Sequence, residues 1–187
     1  MRIISGKFKN KKLFFPKNLK TRPLKDSVKE NIFNILEHSN NFDTKIKNSS
    51  ILDLYAGAGS FGIECLSREA SDVFFVENDA SALKNLRENI DSLKLIKQAS
   101  IYSLDVFEFF KNLSNEKKFD LVFLDPPFAN NEYIKIIEII KKNNVLKKKH
   151  TIVFHRERKK QEKVNAYLNI IENRIYGRSE LFFGNLF

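Results

Sequence analysis

Cys65 is the chain's single cysteine, so an internal disulfide and a cysteine-cluster metal site are both excluded. Its place within a helical pattern reads as a plain buried thiol, in keeping with a reducing compartment. No apolar run approaches the roughly eighteen residues that span a bilayer, and nothing before about residue 30 resembles an apolar signal region. A soluble, cytoplasmic protein without a membrane partner is therefore expected. The histidines, His38, His150 and His155, are scattered without metal-ligand spacing; they read as structural or surface groups, and no metal is expected. Internal repeats, Pro/Ser-rich linkers and low-complexity tracts are also missing. A chain of 187 residues that is 42% apolar can build one continuous core, so the expected organisation is a single domain over 1–187, most simply a monomer.

Acid is lacking from Met1 to Lys25, a stretch that carries Arg2, Lys7, Lys9, Lys11, Lys12, Lys17, Lys20, Arg22 and Lys25. A second basic stretch runs from Lys141 to Lys163, while the middle of the chain is close to balanced. The formal net charge of +10 is what a protein that meets phosphates carries, although heavy use of Lys, Asn, Ile and Phe is also a mark of AT-rich coding. The N-terminal cluster, with Lys7, Lys9, Lys11 and Lys12 at its centre and Arg22 near its end, is read as a polyanion-binding face.

Periodicity supplies the organisation. The N-terminus reads as a hairpin, Arg2 to Ser5 and Lys12 to Phe15, stopped by Pro16. Ser27 and Glu30 form a capping box ahead of Val28, Ile32, Ile35 and Leu36, which recur at helical spacing to about His38. From Ser50 onward, short apolar runs alternate with helical segments. Strands are predicted at Ile51–Tyr55, Val73–Val76, Ser100–Leu104, Leu121–Leu124 and Ile152–His155, with helices near Phe61–Arg68, Ser81–Leu95, Val106–Leu113 and Glu132–Asn143. Apolar strands without strict alternation are buried on both faces, which predicts a doubly wound α/β fold with a mostly parallel sheet. Asn169–Tyr176 and Glu180–Phe187 read as an edge hairpin joined at Gly177-Arg178-Ser179. The expected division is an N-terminal hairpin and lid helix over 1–40 and a Rossmann-like catalytic core over 50–187.

Gly57-Ala58-Gly59-Ser60-Phe61-Gly62 follows the first strand and opens a helix, the context in which a glycine fingerprint cradles a nucleoside cofactor. Glu77, at the tip of the second strand, can accept hydrogen bonds from a ribose diol, so a nicotinamide dinucleotide and S-adenosylmethionine both fit this far. Asp53 separates them. A fixed carboxylate beside a diphosphate costs of order 1 to 4 kcal/mol at effective dielectrics of about 80 to 20, whereas it attracts an ammonium and a sulfonium. Asp53 can also cap the glycine loop through backbone N–H groups. Asp105 can accept from an adenine amine and can cap the helix from Val106, with Glu108 at the capping-box position. The expected cofactor set is Asp53, Tyr55, Gly57, Gly59, Glu77, Asn78, Asp105 and Val106, with S-adenosylmethionine favoured over a nicotinamide dinucleotide.

Asp125-Pro126-Pro127-Phe128 follows the fourth strand. Two consecutive prolines make a stiff extended turn at the carboxyl end of a parallel strand, where open α/β sheets place their ligands. An amine on an aromatic ring is a poor nucleophile because its lone pair is delocalised, and acceptors around the NH₂ oppose that delocalisation. Asp125 offers a carboxylate, the carbonyls around Pro126 lack a competing local N–H, and Phe128 can stack on a base drawn out of its helix. Asp125, Pro126 and Phe128 are therefore the candidate catalytic residues, acting by positioning and polarisation. Guanine presents N1–H and its N2 amine side by side, which one carboxylate can accept together, so guanine is favoured over adenine and cytosine. A methyltransferase acting on DNA adenine or protein glutamine, a nicotinamide dehydrogenase and a silent RNA-binding module are the alternatives.

With these motifs assembled, the sequence resembles the RsmD-type methyltransferases, which make N2-methylguanine in bacterial small-subunit (16S) ribosomal RNA. The likeness rests on Met1-Arg2-Ile3-Ile4-Ser5-Gly6-Lys7, on Arg22-Pro23 with Asp26, Val28, Glu30, Phe33 and Asn34, on Leu52-Asp53-Leu54-Tyr55-Ala56-Gly57-Ala58-Gly59, on Leu66-Ser67-Arg68, on Phe75-Val76-Glu77, on Asp125-Pro126-Pro127-Phe128, and on Tyr176-Gly177 with Phe183-Gly184. The resemblance implies a seven-stranded methyltransferase sheet in the order 3-2-1-4-5-7-6, S-adenosylmethionine over the glycine loop, and the Arg22 to Asn34 segment closing over it. It also implies ribosomal RNA, free or in an assembling small subunit, as the partner. Leu24-Lys25-Asp26-Ser27 and Glu69 depart from the family pattern.

Overall fold

The apolar runs that follow Asn48 become five parallel strands: β1 (Ser50–Leu54), β2 (Asp72–Val76), β3 (Ala99–Tyr102), β4 (Phe119–Leu124) and β5 (Leu146–Glu157). Two antiparallel strands, β6 (Asn169–Tyr176) and β7 (Ser179–Asn185), complete the sheet. The order β3-β2-β1-β4-β5-β7-β6 is the one the family resemblance implies. The structure, a computed structural model, describes residues 1–15, 24–114, 116–127, 132–158 and 164–186. The helices are α1 (Asp26–His38), α2 (Ser60–Ser67), α3 (Ala80–Ser92), α4 (Val106–Asn112) and α5 (Tyr133–Lys142).

Strand alternation sorts the interior into two layers. On one face, Ile51, Phe123 and Val153 meet Ile32, Phe33, Phe61, Ile63 and Leu86 of α1, α2 and α3. On the other, Leu52, Leu54, Val122, Leu124 and Phe154 meet Phe109, Ile136, Ile137 and Ile140 of α4 and α5. Phe33, Phe61 and Phe123 stack through the first layer with centroids 5.2 and 4.0 Å apart, each pair adding about 0.5 to 1.5 kcal/mol beyond its buried area. The expected lid helix, α1, is thus built into the core through Val28, Ile32, Phe33 and Leu36.

Two sequence readings change. α1 begins at Asp26 with Lys25 at its N-cap and no side-chain cap hydrogen bond, so the predicted capping box at Ser27 and Glu30 does not form. Ser27 already lies inside the first turn, where its hydroxyl cannot cap. The N-terminal hairpin is reduced to a single Arg2–Lys12 bridge closed by a 3-10 turn at Gly6–Phe8. Its two arms still pair, Ile3 N–H to Lys11 O at 3.0 Å and Leu13 N–H to Met1 O at 3.2 Å.

The outer arm of that segment is tied down by α2. Fully buried Glu64 accepts the Ile4 N–H with Oε2 at 2.7 Å and the Ser5 N–H with Oε1 at 2.9 Å. Arg68 donates to the same carboxylate at 2.9 Å, and the Lys29 ammonium lies 3.7 Å from it. Lys29 itself donates to Arg2 O at 2.7 Å and to the Ser60 hydroxyl at 3.2 Å. Burial pushes the Lys29 amine below its ordinary range, and Glu64 pulls it back up.

Candidate functional site

Asp53, Glu77, Asp105 and Asp125 all stand at or just beyond the carboxyl ends of the adjacent strands β1, β2, β3 and β4. Backbone bonds fix the strand tips together. Ala56 N–H reaches Val76 O at 3.1 Å, and Glu77 N–H reaches Tyr102 O at 3.2 Å.

The glycines of the loop do different structural work. Gly57 has φ +56°, and among the described residues a Cβ built there would meet nothing within 4 Å, which leaves room above the loop for a ligand. Gly62 serves packing instead: a Cβ there would fall 2.3 Å from the Phe75 ring, so only glycine lets α2 sit this close to β2. Glu77 is buried and braces the loop. Its Oε2 accepts the Gly57 N–H at 2.7 Å, and its Oε1 accepts the Asn78 and Asp79 N–H groups at 2.8 Å each.

Asp53 is buried on the α2 face of β1 and accepts the Gly62 N–H at 3.0 Å, the loop-capping bond that the sequence offers as the alternative to a cofactor contact. Burial pushes its carboxyl up to about 8; the Gly62 bond opposes that shift, and the Asp125 and Glu77 carboxylates add to it. Tyr55 takes φ +60° as the chain leaves β1. Its hydroxyl is pushed up to about 12 by burial first and then by the negative charge of Asp105, Glu132 and Glu77. Asp105 caps α4 by accepting the Phe107 N–H at 2.8 Å, Val106 is buried behind it, and Asn78 is exposed.

Asp125 leaves β4 with its N–H directed at Leu54 O, 3.5 Å away. Pro126 is buried and Pro127 exposed, while Phe128 and Arg22 lie outside the described residues. Leu124 pairs with Phe154, so the next position brings Asp125 beside His155, and the His155 Nδ1 lies 2.8 Å from Asp125 Oδ1. His155 was read from the sequence as structural or surface. The available signal was register, since it sits at the carboxyl tip of β5 as Asp125 does of β4. Asn89 was also missed: fully buried, it donates to Ala58 O and Phe14 O at 3.0 Å each and accepts the Phe14 N–H at 2.7 Å. An asparagine on the apolar face of α3, between Leu86 and Ile90, was its trace.

The basic residues divide by height. The turn bearing Lys7 and Lys9 abuts the carboxyl end of α2: Phe8 N–H reaches Ser67 Oγ at 3.0 Å and Lys7 pairs with Glu69 at 3.2 Å. An eight-residue helix is about 12 Å long, so these two lysines stand well below the glycine loop. Lys12 pairs with Arg2, whose carbonyl is held by the same Lys29 that reaches Ser60 at the start of α2. Within the second basic stretch, Lys147 pairs with Asp120 and Lys149 with Asp43, at the amino end of the parallel strands. Among the described residues no cluster suited to a metal ion occurs, and no helix is long and apolar enough to cross a membrane.

The open space over Gly57 and the carboxylates at four neighbouring strand tips fit a nucleoside cofactor with a cationic end better than a diphosphate. Comparison with known proteins agrees. The family model described as "Conserved hypothetical protein 95" matches residues 1–185. Ribosomal RNA small subunit methyltransferase D of Haemophilus influenzae is 37% identical over 161 residues, 86% of this chain and 80% of that protein. Its namesake from Escherichia coli K12 is 30% identical over 146 residues, 78% of this chain and 69% of that one. A solved structure of yhhF from Escherichia coli, titled as a candidate methyltransferase, superposes with TM-score 0.83 at 27% identity, covering 100% of this chain and 99% of its own. The chain belongs to the conserved hypothetical protein 95 family, the RsmD family, and has its class I methyltransferase fold.

Proposed function

We propose that this protein transfers a methyl group from S-adenosylmethionine to the exocyclic N2 of a guanine in small-subunit ribosomal RNA. The observation that carries the reading is the grouping of Asp125 and its proline turn with Asp53 and the glycine loop at one end of the sheet. When bound, S-adenosylmethionine supplies an electrophilic methyl group on its sulfonium. Glu77 holds the ribose diol while bracing the loop, Asp53 faces the ammonium, Asp105 accepts from the adenine amine, and Tyr55, Asn78 and Val106 line the nucleoside. Asp125 accepts hydrogen bonds from the guanine N1–H and N2–H together, and the carbonyls around Pro126 accept one from the second N2–H, which keeps the nitrogen lone pair available; the N2 proton lost on methylation leaves through Asp125. Phe128 stacks on the base.

The test is to map methylated guanines in small-subunit RNA from cells lacking this gene. One N2-methylguanine should be missing, and purified protein with S-adenosylmethionine should restore it on RNA or on the assembling particle. An unchanged guanine pattern, with methylation lost from DNA adenine or a protein glutamine, would reassign the substrate.

The basic N-terminal segment contacts RNA phosphates, contributing affinity without choosing the base. Because Lys12 stands nearer the glycine loop than Lys7 and Lys9, the Lys11 and Lys12 pair serves nucleotides beside the target guanine, and Lys7 and Lys9 serve more distant ones. Replacing all four by Gln should flatten the dependence of log affinity on log salt by about 0.7 per lost contact on single strands. Binding measured across a salt series checks this. Parallel lines of equal affinity would assign the cluster to solvation.

A further inference from the structure

We infer that His155 is a positioning residue for methyl transfer: by donating its Nδ1–H to Asp125 Oδ1, it fixes the orientation in which the carboxylate meets the acceptor amine. The inference rests on the proposed role of Asp125 at a guanine amine. Three observations carry it. The contact is 2.8 Å, and His155 is nearly buried, its side chain 7% exposed against 24% for Asp125. The two residues come from adjacent strands, one step beyond the Leu124–Phe154 pair, so the sheet itself sets their spacing. Strand parity places Asp53, Asp125 and His155 on the same face, toward α2, and Asp53 feels the Asp125 charge.

The tautomer follows from the chemistry. An ionised carboxylate has acceptors only, so the imidazole nitrogen facing it must carry the proton. A carboxylate on the proline-stiffened turn can still rotate about its Cα–Cβ and Cβ–Cγ bonds. Rotation would aim its oxygens away from a base whose two donors must be met at once. Engaging Oδ1 from the side removes that freedom before the base arrives, and such preorganisation lowers the barrier without contact with the reacting atoms. Burial at the tip of β5 keeps the imidazole from turning away.

The test compares His155→Leu, which cannot donate, with His155→Asn, whose side-chain amide can place an N–H where Nδ1 stands. In His155→Leu, kcat on small-subunit RNA should fall about ten- to a hundredfold, with KM for S-adenosylmethionine and affinity for S-adenosylhomocysteine unchanged. His155→Asn should recover most of the rate. A second measurement needs no substrate: in protein carrying ¹⁵N-labelled histidine, the His155 Nδ1–H resonance should be seen in the parent and lost in Asp125→Ala. The inference is overturned by a parental rate in His155→Leu, by a His155→Asn rate no better than that of His155→Leu, or by an Nδ1–H signal indifferent to Asp125. A protein that shows the resonance and its loss but methylates no ribosomal RNA would uphold the contact and overturn the substrate assignment instead.

Discussion

Asp125→Ala is expected to slow methyl transfer by about 10²- to 10⁴-fold while leaving affinity for S-adenosylhomocysteine within about twofold. The asymmetry follows from where the carboxylate stands. Asp125 follows β4 and engages His155, whereas the loop-bracing bonds come from Glu77 and Asp53 on the other strands. Removing it takes away the acceptor for the amine and leaves the glycine loop intact. It also removes the hydrogen bond between Asp125 and nearly buried His155, so some loss of thermal stability accompanies the loss of rate. Asp125→Asn separates the two effects, because its amide oxygen can still accept from His155 while its charge is gone. It should fold like the parent and remain slow. Single-turnover methylation with calorimetric cofactor binding decides the matter, and an unchanged rate in Asp125→Ala would sink the mechanism.

The second large effect concerns Asp53, whose folded carboxyl stands at about 8 against an ordinary 3.8. Its sign is opposite to that of a salt-bridged acid. Below the ordinary value both folded and unfolded chains hold the proton and Asp53 contributes nothing. Between about pH 4 and 8 the unfolded chain releases the proton while the folded chain keeps it, so stability drains as pH rises and levels off above about 8. Asp53→Asn removes that drain, and its amide oxygen can still accept the Gly62 N–H. Its unfolding free energy should therefore match the parent near pH 4 and exceed it by a few kcal/mol at pH 8, read by denaturant unfolding at the two pH values.

Cofactor binding by the same variant should run the other way. An ammonium docking beside Asp53 favours the carboxylate, so parental affinity for S-adenosylhomocysteine should rise with pH toward about 8 and binding should release a proton. Asp53→Asn should bind about tenfold or more weakly, with a flat pH profile. Glu77→Ala should lose about 1 to 3 kcal/mol at every pH, through the ribose and through the three backbone bonds it makes to the loop. Calorimetry in buffers of differing ionisation enthalpy reads the proton directly. Proton-neutral binding in the parent would remove Asp53 from the ammonium.

The sequence was most legible where the chain is buried on both sides. The runs around Leu52, Phe75 and Val122 have only one way to hide their apolar side chains, so their strands fall within a residue or two of the predicted spans. β5 was predicted from Ile152 but starts at Leu146, because Lys147, Lys148 and Lys149 are solvent-exposed and the register with β4 shifts between Phe119 and Leu121. Without alternation or burial, nothing in that lysine run announces a strand. The site divides in the same way. The glycines and strand-tip acids stand out in the sequence because backbone geometry and charge constrain them locally, and the Asp53 bond to Gly62 is the loop cap that stood as the alternative to a cofactor contact there. The neighbourhood of His155 depends on the register between two strands thirty residues apart, which no local pattern encodes.

The placement of β7 has a consequence for chain synthesis. β7 is later in sequence than β6 yet lies between β6 and β5, pairing with β5 from Ile152–Gly184 to Glu157–Ser179. Until residues 179–185 have left the ribosome, β5 therefore presents a row of unpaired amides and carbonyls flanked by the apolar Ile152, Val153 and Phe154. β6 has no neighbour to join. At about 5 to 20 residues per second, the interval between Glu157 and Asn185 lasts about 1 to 6 seconds, during which the nascent chain carries an open sheet edge of the kind that invites wrong pairing with other chains.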